Sequence, residues 1–510
     1  MNSNPSPLFI PAIWEGTHFK VLDETLLPQK LEFITVNEVP QALQAVKEMK
    51  TRAFGQVLTF FYAVALVAQG YESKDPDPLR QRLFRLADEF NQARPTFDFK
   101  ELAGFFSEWF QQLPPGEEVG NWIGCKVHES IAGIIKRREE RAKRCAALLP
   151  NPCRLLTHCN ISGELVSVAR CCEEMGKALY VTATETRPYL QGSRLTAWEV
   201  CRAGIPVSLI PDCAIAQLLA KGEIDTVLVG ADRCAQNGDV INKVGTYPIA
   251  LMAKKYGVPF YALVQDPGPL ARGADVLIEE RPVSELLTFQ GQHLAPEGST
   301  GIHGYYPAFD VTPAALISSL IGFDGVFTPE RFRQNHDGST ASSKDEKKRH
   351  EKHLLVYGIP KPSDYSYLSH ALKAEQCQAV LVPEMRPELW GGHLVSRDLS
   401  RKNIPTTLIS DNMMGTFFAQ EKIHRLYVFY TGLDKDGPVG ICGSLLATQL
   451  ARAHGVPIEL LAGEEAKETS RDQDVSTFLG QRVSPDGVTI YPIEPEVLPW
   501  FLFQEDKRDL

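Results

Sequence analysis

Apolar positions in this 510-residue chain follow a helical period in some stretches and a strand-like period in others. In the first 130 residues, short strand-like runs at residues 19–22 and 31–36 stand beside longer helical patterns at 40–49, 57–69 and 78–92. This mixture predicts a smaller N-terminal α/β cap domain over residues 1–130.

The pattern changes from residue 154 onward, where short β-rich runs alternate with helical stretches. Five such runs occur in order along the chain: LLTHC, ALYVTAT, PVSLIP, TVLVGAD and PFYALV. Strands that alternate with helices favour a parallel, doubly wound sheet. We therefore predict a Rossmann-like α/β domain over residues 131–330.

Residues 331–352 are polar and contain almost no apolar residue after Phe332, which is typical of a solvated linker. Beyond them the strand-like series returns as HLLVYGI, AVLVPEM, PTTLIS, RLYVFYTG and PIELLAG. The pattern predicts a second Rossmann-like layer within residues 353–510.

The two series are related by duplication. Residues 185–212 read ETRPYLQGSRLTAWEVCRAGIPVSLIPD, and residues 384–411 read EMRPELWGGHLVSRDLSRKNIPTTLISD. Without a gap, 12 of these 28 positions are identical. The repeating unit is a whole domain and not a short solenoid repeat.

Composition excludes some classes of function. The net charge of −10 argues against a general binder of nucleic acid or of anionic membranes. The longest apolar run, residues 57–68, is too short to span a bilayer, so we expect a cytoplasmic protein. Eleven cysteines include no CxxC pair and no histidine at zinc-ligand spacing, which favours thiols over disulfides or a metal site. We expect no metal and no cofactor.

Polar residues follow several of the predicted strands in the first series. Cys159 ends the first run, Gln191 follows the second, and Asp232 ends the fourth, with Asn242 and Lys243 soon after. An aspartate in such a place is most often a helix cap. Because parallel sheets bind ligands at the carboxyl ends of their strands, the combination still indicates a site. A thiol and a carboxylate can exchange protons, and an amide with an ammonium can bind phosphate.

Several long motifs in order make the chain recognisable as a whole. They are VLDETLLPQ, ARPTFDF, THCN at Cys159, ETRPYLQGSRLTAWE, VGADRCAQNGDVINKVGTY, IEERPVSELL and YYPAFDVTPAALI. Over residues 1 to about 330 the chain resembles methylthioribose-1-phosphate isomerases. Their superfamily also contains regulatory subunits of the translation initiation factor 2B exchange factor.

The resemblance implies an aldose–ketose isomerase of methionine salvage, acting on the sugar phosphate 5-methylthioribose 1-phosphate. It implies that Cys159 and Asp232 are catalytic, with Asp232 acting on the oxygens and Cys159 relaying the C2 proton. It also implies a set of substrate-binding residues, in part from the cap: Arg52, Ala53, Arg94, Gln191, Asn242 and Lys243.

The chain departs from the family pattern beside the expected ligand. Where these isomerases carry Arg-Gly-Ala-Pro, this chain has Arg52-Ala53-Phe54-Gly55, and alanine adopts a positive φ less easily than glycine. The 5-substituent therefore stays open, with ribose 1,5-bisphosphate and 5-deoxyribose 1-phosphate as alternatives. Phe54 favours an apolar group. A non-catalytic protein that senses a sugar phosphate or a nucleotide is the other alternative.

The second series lacks the chemistry of the first. Gly358 stands in the place of Cys159, Asp434 aligns with Asp232 only through a gap, and no Asn–Lys pair follows. We predict a non-catalytic copy that docks on the first as an internal pseudo-dimer, leaving the chain a monomer.

Overall fold

The computed structural model describes residues 6–95, 97–295, 301–336, 351–465, 470 and 472–504. Two compact units divide the chain. The N-terminal unit contains the described residues up to Leu148, together with Asn160–Gly176 and Trp198–Gly204. The sheet unit contains Leu149–Cys159, Lys177–Ala197 and the described residues from Ile205 onward.

The segment up to Leu148 combines a small antiparallel sheet with helices. Its strands pair in the order β1-β2-β3, and they are β1 Ala12–Trp14, β2 Phe19–Leu22 and β3 Phe33–Val36. Its helices are α1 Val39–Lys47, α2 Phe54–Gln69, α3 Pro76–Ala93, α4 Phe99–Leu102, α5 Gly104–Gln111 and α6 Val119–Leu148. Helix α2 is buried along most of its length, and the ring of Phe60 packs against those of Phe90 and Phe106.

The next segment, residues 149–336, alternates strands and helices. Its strands are β4 Cys153–Thr157, β5 Leu179–Thr184, β6 Val207–Ile210, β7 Thr226–Gly230, β8 Arg233–Cys234, β9 Val240–Lys243, β10 Phe260–Leu263, β11 Thr288–Phe289, β12 Gln292–His293, β13 Ile302–Gly304, β14 Phe309–Thr312, β15 Ser319–Ile321 and β16 Val326–Phe327. Its helices are α7 Glu164–Glu174, α8 Ala197–Arg202, α9 Ile215–Ala220, α10 Thr246–Tyr256, α11 Ser284–Leu287 and α12 Pro329–Asn335.

The last segment, residues 351–504, repeats this alternation. Its strands are β17 His353–Tyr357, β18 Ala379–Pro383, β19 Thr406–Ile409, β20 Ile423–Tyr430, β21 Gly432–Asp434, β22 Gly437–Gly440, β23 Ile458–Ala462, β24 Thr477–Phe478, β25 Gln481–Arg482, β26 Thr489–Ile490 and β27 Glu496–Val497. Its helices are α13 Asp364–Ala374, α14 Ser396–Arg401, α15 Met414–Ala419 and α16 Ser444–Ala453.

Two parallel sheets form from these segments with the same strand order. The first contains β10-β7-β4-β5-β6, and the second contains β23-β20-β17-β18-β19. The central strands β7 and β18 are buried at nearly every position, as expected of parallel strands with both faces covered. The predicted α/β architecture with parallel sheets is confirmed, and each of the ten predicted strands is present.

The sheet unit has two halves, a first half from residues 149–336 and a second half from residues 351–504. Each half also contributes an edge strand to the parallel sheet of the other. Strand β13, from the first half, pairs in parallel with β19 of the second sheet. Strand β26, from the second half, pairs in parallel with β6 of the first sheet. The exchange covers one edge of each sheet with backbone hydrogen bonds, which removes an exposed edge.

The halves of the sheet unit share one hydrophobic core. Leu218 of α9 and Ala250 of α10 belong to the same buried cluster as Met414 of α15 and Leu446 of α16. Burial of apolar surface on this scale is the main source of stability in such an arrangement.

Two observations concern the predicted boundaries. Residue 130 lies inside α6, because the helix continues without interruption to Leu148. The predicted linker over residues 331–352 begins within α12, and its residues 337–350 lie outside the described part of the chain. Among the described residues, every helix is too short or too polar to cross a bilayer.

Candidate functional site at the carboxyl ends of β4, β5 and β7

Cys159 lies two residues beyond the end of β4 and is half-buried. Its backbone has a φ of +66°, a left-handed conformation that residues other than glycine rarely adopt. Two threonines hold it there: its N–H donates to Thr186 Oγ1 at 2.9 Å, and its carbonyl accepts from Thr196 Oγ1 at 2.6 Å. Such a strained residue held by its neighbours is typical of functional sites.

His158 connects this strand end with the next part of the site. Its Nε2 lies 2.9 Å from the carbonyl oxygen of Val244, and its Nδ1 lies 2.6 Å from Thr184 Oγ1. Because a carbonyl can only accept, Nε2 carries the proton and Nδ1 accepts from the threonine hydroxyl. Burial lowers the pKa of His158 to about 4, so the ring is neutral at pH 7.

Asp232 lies just beyond β7, the strand next to β4 in the sheet. Its N–H donates to the carbonyl of Ile241 at 3.0 Å, and its carbonyl accepts from Gln265 Nε2 at 2.8 Å. The first of these hydrogen bonds joins Asp232 to β9, which carries Asn242 and Lys243. The carboxyl ends of β4 and β7 therefore place Cys159 and Asp232 at one edge of the sheet, and the hydrogen bond to Ile241 joins Asp232 to the strand that carries the Asn–Lys pair.

Asn242 and Lys243 are both buried. Asn242 Nδ2 donates to Thr246 Oγ1 at 3.0 Å, beside the first turn of α10. Lys243 Nζ lies 5.1 Å from the ring centroid of Phe309 and 5.9 Å from that of Tyr306. The negative faces of aromatic rings attract a lysine ammonium, so these contacts orient the Lys243 side chain.

The start of α10 is fixed by a carboxylate that the sequence patterns did not reveal. Asp310 on β14 accepts from the N–H groups of Gly245 and Tyr247, and its burial raises its pKa to about 7. Gly245 has a φ of +106°, and a Cβ there would lie 2.9 Å from the His158 ring. Glycine is required because the histidine packs directly on the backbone.

Gln191 lies after β5, immediately before a π-helical turn over Gly192–Thr196. Its side chain is buried, and within the described part of the chain its Oε1 has no hydrogen-bond partner. Buried amide oxygens are nearly always hydrogen-bonded. A ligand hydroxyl is therefore a suitable donor for Gln191.

The three other predicted residues belong to the N-terminal unit. Arg52 is half-buried, and its N–H donates to Glu24 Oε1 at 2.9 Å. Burial raises the pKa of Glu24 to about 7. Arg94 is half-buried and ends α3.

Ala53 is exposed and has a φ of +41°, so the alanine does adopt the conformation that favours glycine. Phe54 places its ring against the guanidinium of Arg138, with 4.1 Å between the guanidinium carbon and the ring centroid. At least one face of the Phe54 ring is therefore covered by a contact within the N-terminal unit.

Glu199 is a second buried carboxylate that sequence reasoning missed. Within the N-terminal unit its carboxylate accepts from Ser6 Oγ at 2.6 Å and from Asn160 Nδ2 at 2.7 Å. Asn160 is the residue after Cys159, and its Oδ1 accepts the N–H of Ser162 at 2.8 Å. Glu199 thus fixes the loop that follows the thiol. Its place in the TAWE motif was the available signal.

The same places in the second half carry different groups. Tyr357 takes the place of His158 and donates to the carbonyl of Cys442 at 2.9 Å. Gly358 follows with a φ of +91°, and Asp434 is exposed on β21. The second half keeps the backbone arrangement of the first without its thiol, amide and ammonium.

Fold and site together define an α/β protein with parallel sheets and a polar site at the carboxyl ends of adjacent strands. The chain belongs to the Initiation factor 2 subunit family, whose model matches residues 56–329 and 348–463. A methylthioribose-1-phosphate isomerase of Desulforudis audaxviator is 37% identical over 340 residues, covering 62% of this chain and 93% of the relative.

Two solved structures are similar to the chain. The 5-methylthioribose 1-phosphate isomerase of Pyrococcus horikoshii OT3 is 29% identical with a TM-score of 0.55, covering 66% of this chain and 97% of its own. The translation initiation factor eIF-2B, subunit delta, from A. fulgidus is 34% identical with a TM-score of 0.54. The match covers 62% of this chain and 96% of the subunit.

Proposed function

We propose that this chain is an aldose–ketose isomerase that converts 5-methylthioribose 1-phosphate, or a close 5-substituted ribose 1-phosphate, into the ribulose 1-phosphate. The observation that carries the proposal is that Cys159, in a strained conformation, and Asp232 follow the ends of the adjacent strands β4 and β7, with Asn242 and Lys243 on β9, which is hydrogen-bonded to Asp232. The activity named for the 37% identical relative supports it. The step belongs to methionine salvage.

In the proposed reaction, protonated Asp232 gives its proton to the ring oxygen as the C1–O bond to that oxygen breaks. The Cys159 thiolate then takes the proton from C2, leaving an enol, and returns it to C1. The C2 hydroxyl proton passes to the Asp232 carboxylate as the ketone forms. Every proton is returned and no electron acceptor is consumed, as an isomerisation requires. A hydride shift from C2 to C1 balances equally.

Substrate binding is proposed for the other predicted residues. Lys243 and Asn242 supply a positive charge and an amide donor for the phosphate, and the buried Gln191 amide receives a sugar hydroxyl. The roles proposed for Arg52, Ala53 and Arg94 rest on the family resemblance.

Two finer parts of the fold are also proposals. Residues 1–130 are proposed to act as a cap domain, and residues 353–510 as a degenerate Rossmann-like copy without catalysis. We propose a cytoplasmic location for the protein.

A second candidate is a non-catalytic regulatory protein that binds a sugar phosphate. The 34% identity to the eIF-2B delta subunit favours it. The retained Cys159, Asp232, Asn242 and Lys243 favour the enzyme.

Proton NMR of 5-methylthioribose 1-phosphate tests the proposal, with wild type, Cys159→Ala and Asp232→Asn in parallel. Ketose signals from wild type alone support both catalytic roles. In D2O, deuterium at C1 indicates proton transfer through a thiol that exchanges with solvent, whereas its absence fits both a hydride shift and a proton that Cys159 returns without exchange. Folded wild type that binds the sugar phosphate without turnover contradicts the isomerase on this substrate. Ribose 1,5-bisphosphate and 5-deoxyribose 1-phosphate then separate another substrate from a regulatory role.

Lys243→Met tests the proposed phosphate contact. We expect KM to rise at least about tenfold, since one charge-assisted hydrogen bond contributes about 1.5–3 kcal/mol. Lys254→Met, on the exposed side of α10, is the matched control and should leave KM unchanged. Equal KM values for the two variants would remove Lys243 from the phosphate site.

A further inference from the structure

A separate group of polar side chains lies at the amino ends of strands in the second sheet, away from the candidate active site. Glu375 and Cys377 precede β18, and His424 is the second residue of β20. Their ligand-type atoms all lie within 4.8 Å of one another, and the three residues are half-buried or partly exposed. Thiolate, imidazole and carboxylate are the three ligand types that Zn²⁺ takes in proteins.

The carboxylate of Glu375 is oriented as a metal ligand would be. Its Oε1 accepts from Arg425 Nε at 3.0 Å. Its Oε2 is buried and makes no hydrogen bond in the described part of the chain, although it lies 3.2 Å from His424 Nε2. Ligating carboxylates typically have such an outer partner on the oxygen that does not bind the metal.

The spacing of the two ligand atoms fits a shared ion. Bonds of about 2.0–2.1 Å from Zn²⁺ to nitrogen and oxygen place two tetrahedral ligands about 3.3 Å apart. The 3.2 Å between Glu375 Oε2 and His424 Nε2 agrees with this value. Cys377 Sγ lies within 4.8 Å of the ligand atoms of the other two residues, and it donates to the carbonyl oxygen of Glu375 at 3.7 Å.

We propose that Glu375, Cys377 and His424 bind one Zn²⁺-type divalent cation, with Cys377 as a thiolate and water as the fourth ligand. Binding forms the metal–sulfur bond and releases the thiol proton to solvent, so no oxidant or reductant is needed. The ion ties the connection between α13 and β18 to the start of β20. The proposal concerns the half without the catalytic residues and is independent of the proposed isomerase activity.

Co²⁺ provides a spectroscopic test on the full-length chain after treatment with a chelator. We expect one equivalent to bind, with a thiolate-to-metal charge-transfer band and the visible bands of a four-coordinate ion. Zn²⁺ should displace it. Cys377→Ser should abolish the charge-transfer band, and His424→Gln should weaken binding at least tenfold. The His424 side chain is 42% exposed, so its replacement leaves the core intact.

Cys125→Ser is the matched control, because Cys125 is an exposed cysteine elsewhere in the chain, and it should keep the wild-type spectrum and affinity. A wild-type titration that never saturates would overturn the proposal. So would a charge-transfer band of equal strength in Cys377→Ser, or wild-type affinity in His424→Gln. The three residues would then form only an ion-pair cluster with Arg425.

Discussion

The guanidinium of Arg187 lies 2.8 Å from the carboxylate of Glu384, and both side chains are fully buried. The duplicated positions repeat the contact, since Arg386 Nη2 lies 2.8 Å from Glu185 Oε2. In a two-fold dimer, residue i of one subunit contacts residue j of the other, and j contacts i. The two halves of the sheet unit therefore meet in the way that two subunits would.

Breaking one of these pairs should destabilise the sheet unit strongly. Arg187→Met leaves the Glu384 carboxylate buried without its partner, and we expect the free energy of unfolding to fall by about 3–5 kcal/mol. The double variant Arg187→Met/Glu384→Met should recover much of the loss, because no charge is left buried. Urea denaturation measures both.

The control for this experiment is Arg154→Met. Arg154 pairs with Asp225, but its side chain is 47% exposed, so its loss should cost about 1 kcal/mol or less. Equal losses in Arg187→Met and Arg154→Met would mean that the buried pair contributes no more than a surface pair.

The reciprocal contacts and the exchanged edge strands support an internal pseudo-dimer, which predicts a monomer in solution. Light scattering coupled to size-exclusion chromatography should give a single particle of about 57 kDa, matching the chain mass of 56.7 kDa. A tight symmetric dimer formed through the first sheet would contradict the pseudo-dimer. That surface is already covered by the second half.

Glu199 should make stability depend on pH. Its burial raises its pKa from 4.5 to about 7. Between pH 4.5 and about pH 7 the folded chain keeps a proton on Glu199 that the unfolded chain has lost. The contribution of Glu199 to the free energy of unfolding is therefore greatest below pH 4.5, and it falls as the pH rises to about 7. Glu199→Gln does not titrate, and relative to wild type it should gain up to about 3 kcal/mol between pH 4.5 and pH 7.

Denaturation at several pH values from 4.5 to 8 measures this effect. The exposed Glu173 on α7, replaced by Gln, is the matched control and should differ from wild type by a constant amount. A constant difference for Glu199→Gln would show that the carboxyl does not hold its proton in the folded chain.

Two glycines at the ends of α10 allow the cost of close packing to be measured apart from the cost of backbone strain. Gly245 has a φ of +106°, and a Cβ added there would lie 2.9 Å from both the His158 ring and Asn412. Gly257 has a φ of +69°, and a Cβ added there would meet open space. Gly257→Ala should cost about 1–2 kcal/mol from the left-handed backbone alone. Gly245→Ala should cost about 3 kcal/mol or more and lower turnover, because His158 supports Cys159.

Thermal or urea unfolding and isomerase turnover of the two variants provide the measurement. The interpretation would be wrong if Gly245→Ala were as stable and as active as Gly257→Ala. In that case the histidine would have room to move without disturbing the thiol.

Much of the fold follows from local patterns in the chain. Strands β4 and β17 fall on the predicted apolar runs because a buried parallel strand needs an unbroken apolar run. The placement of Cys159 and Asp232 at one sheet edge followed from the same patterns, since adjacent parallel strands end together. The predicted domain boundary at residue 130 falls inside α6, because a polar helix carries no local signal of where a domain ends.

The residues that support the site were not predictable in the same way. Three of them form hydrogen bonds between distant parts of the chain: His158 with Val244, Asp310 with Gly245, and Glu199 with Asn160. A buried carboxylate looks like any other acidic residue until its neighbours are known.

By itself the sequence determined the ten strands of the two parallel sheets through their hydrophobic period, and it determined the duplication and the loss of the thiol at Gly358 through residue identity between the two series. The tertiary structure decided how the halves meet, with Arg187 on Glu384 and Arg386 on Glu185, and which strand each half lends to the other. The physical reason is that period reports only which face of an element is buried, whereas partner choice depends on shape and charge across the whole interface.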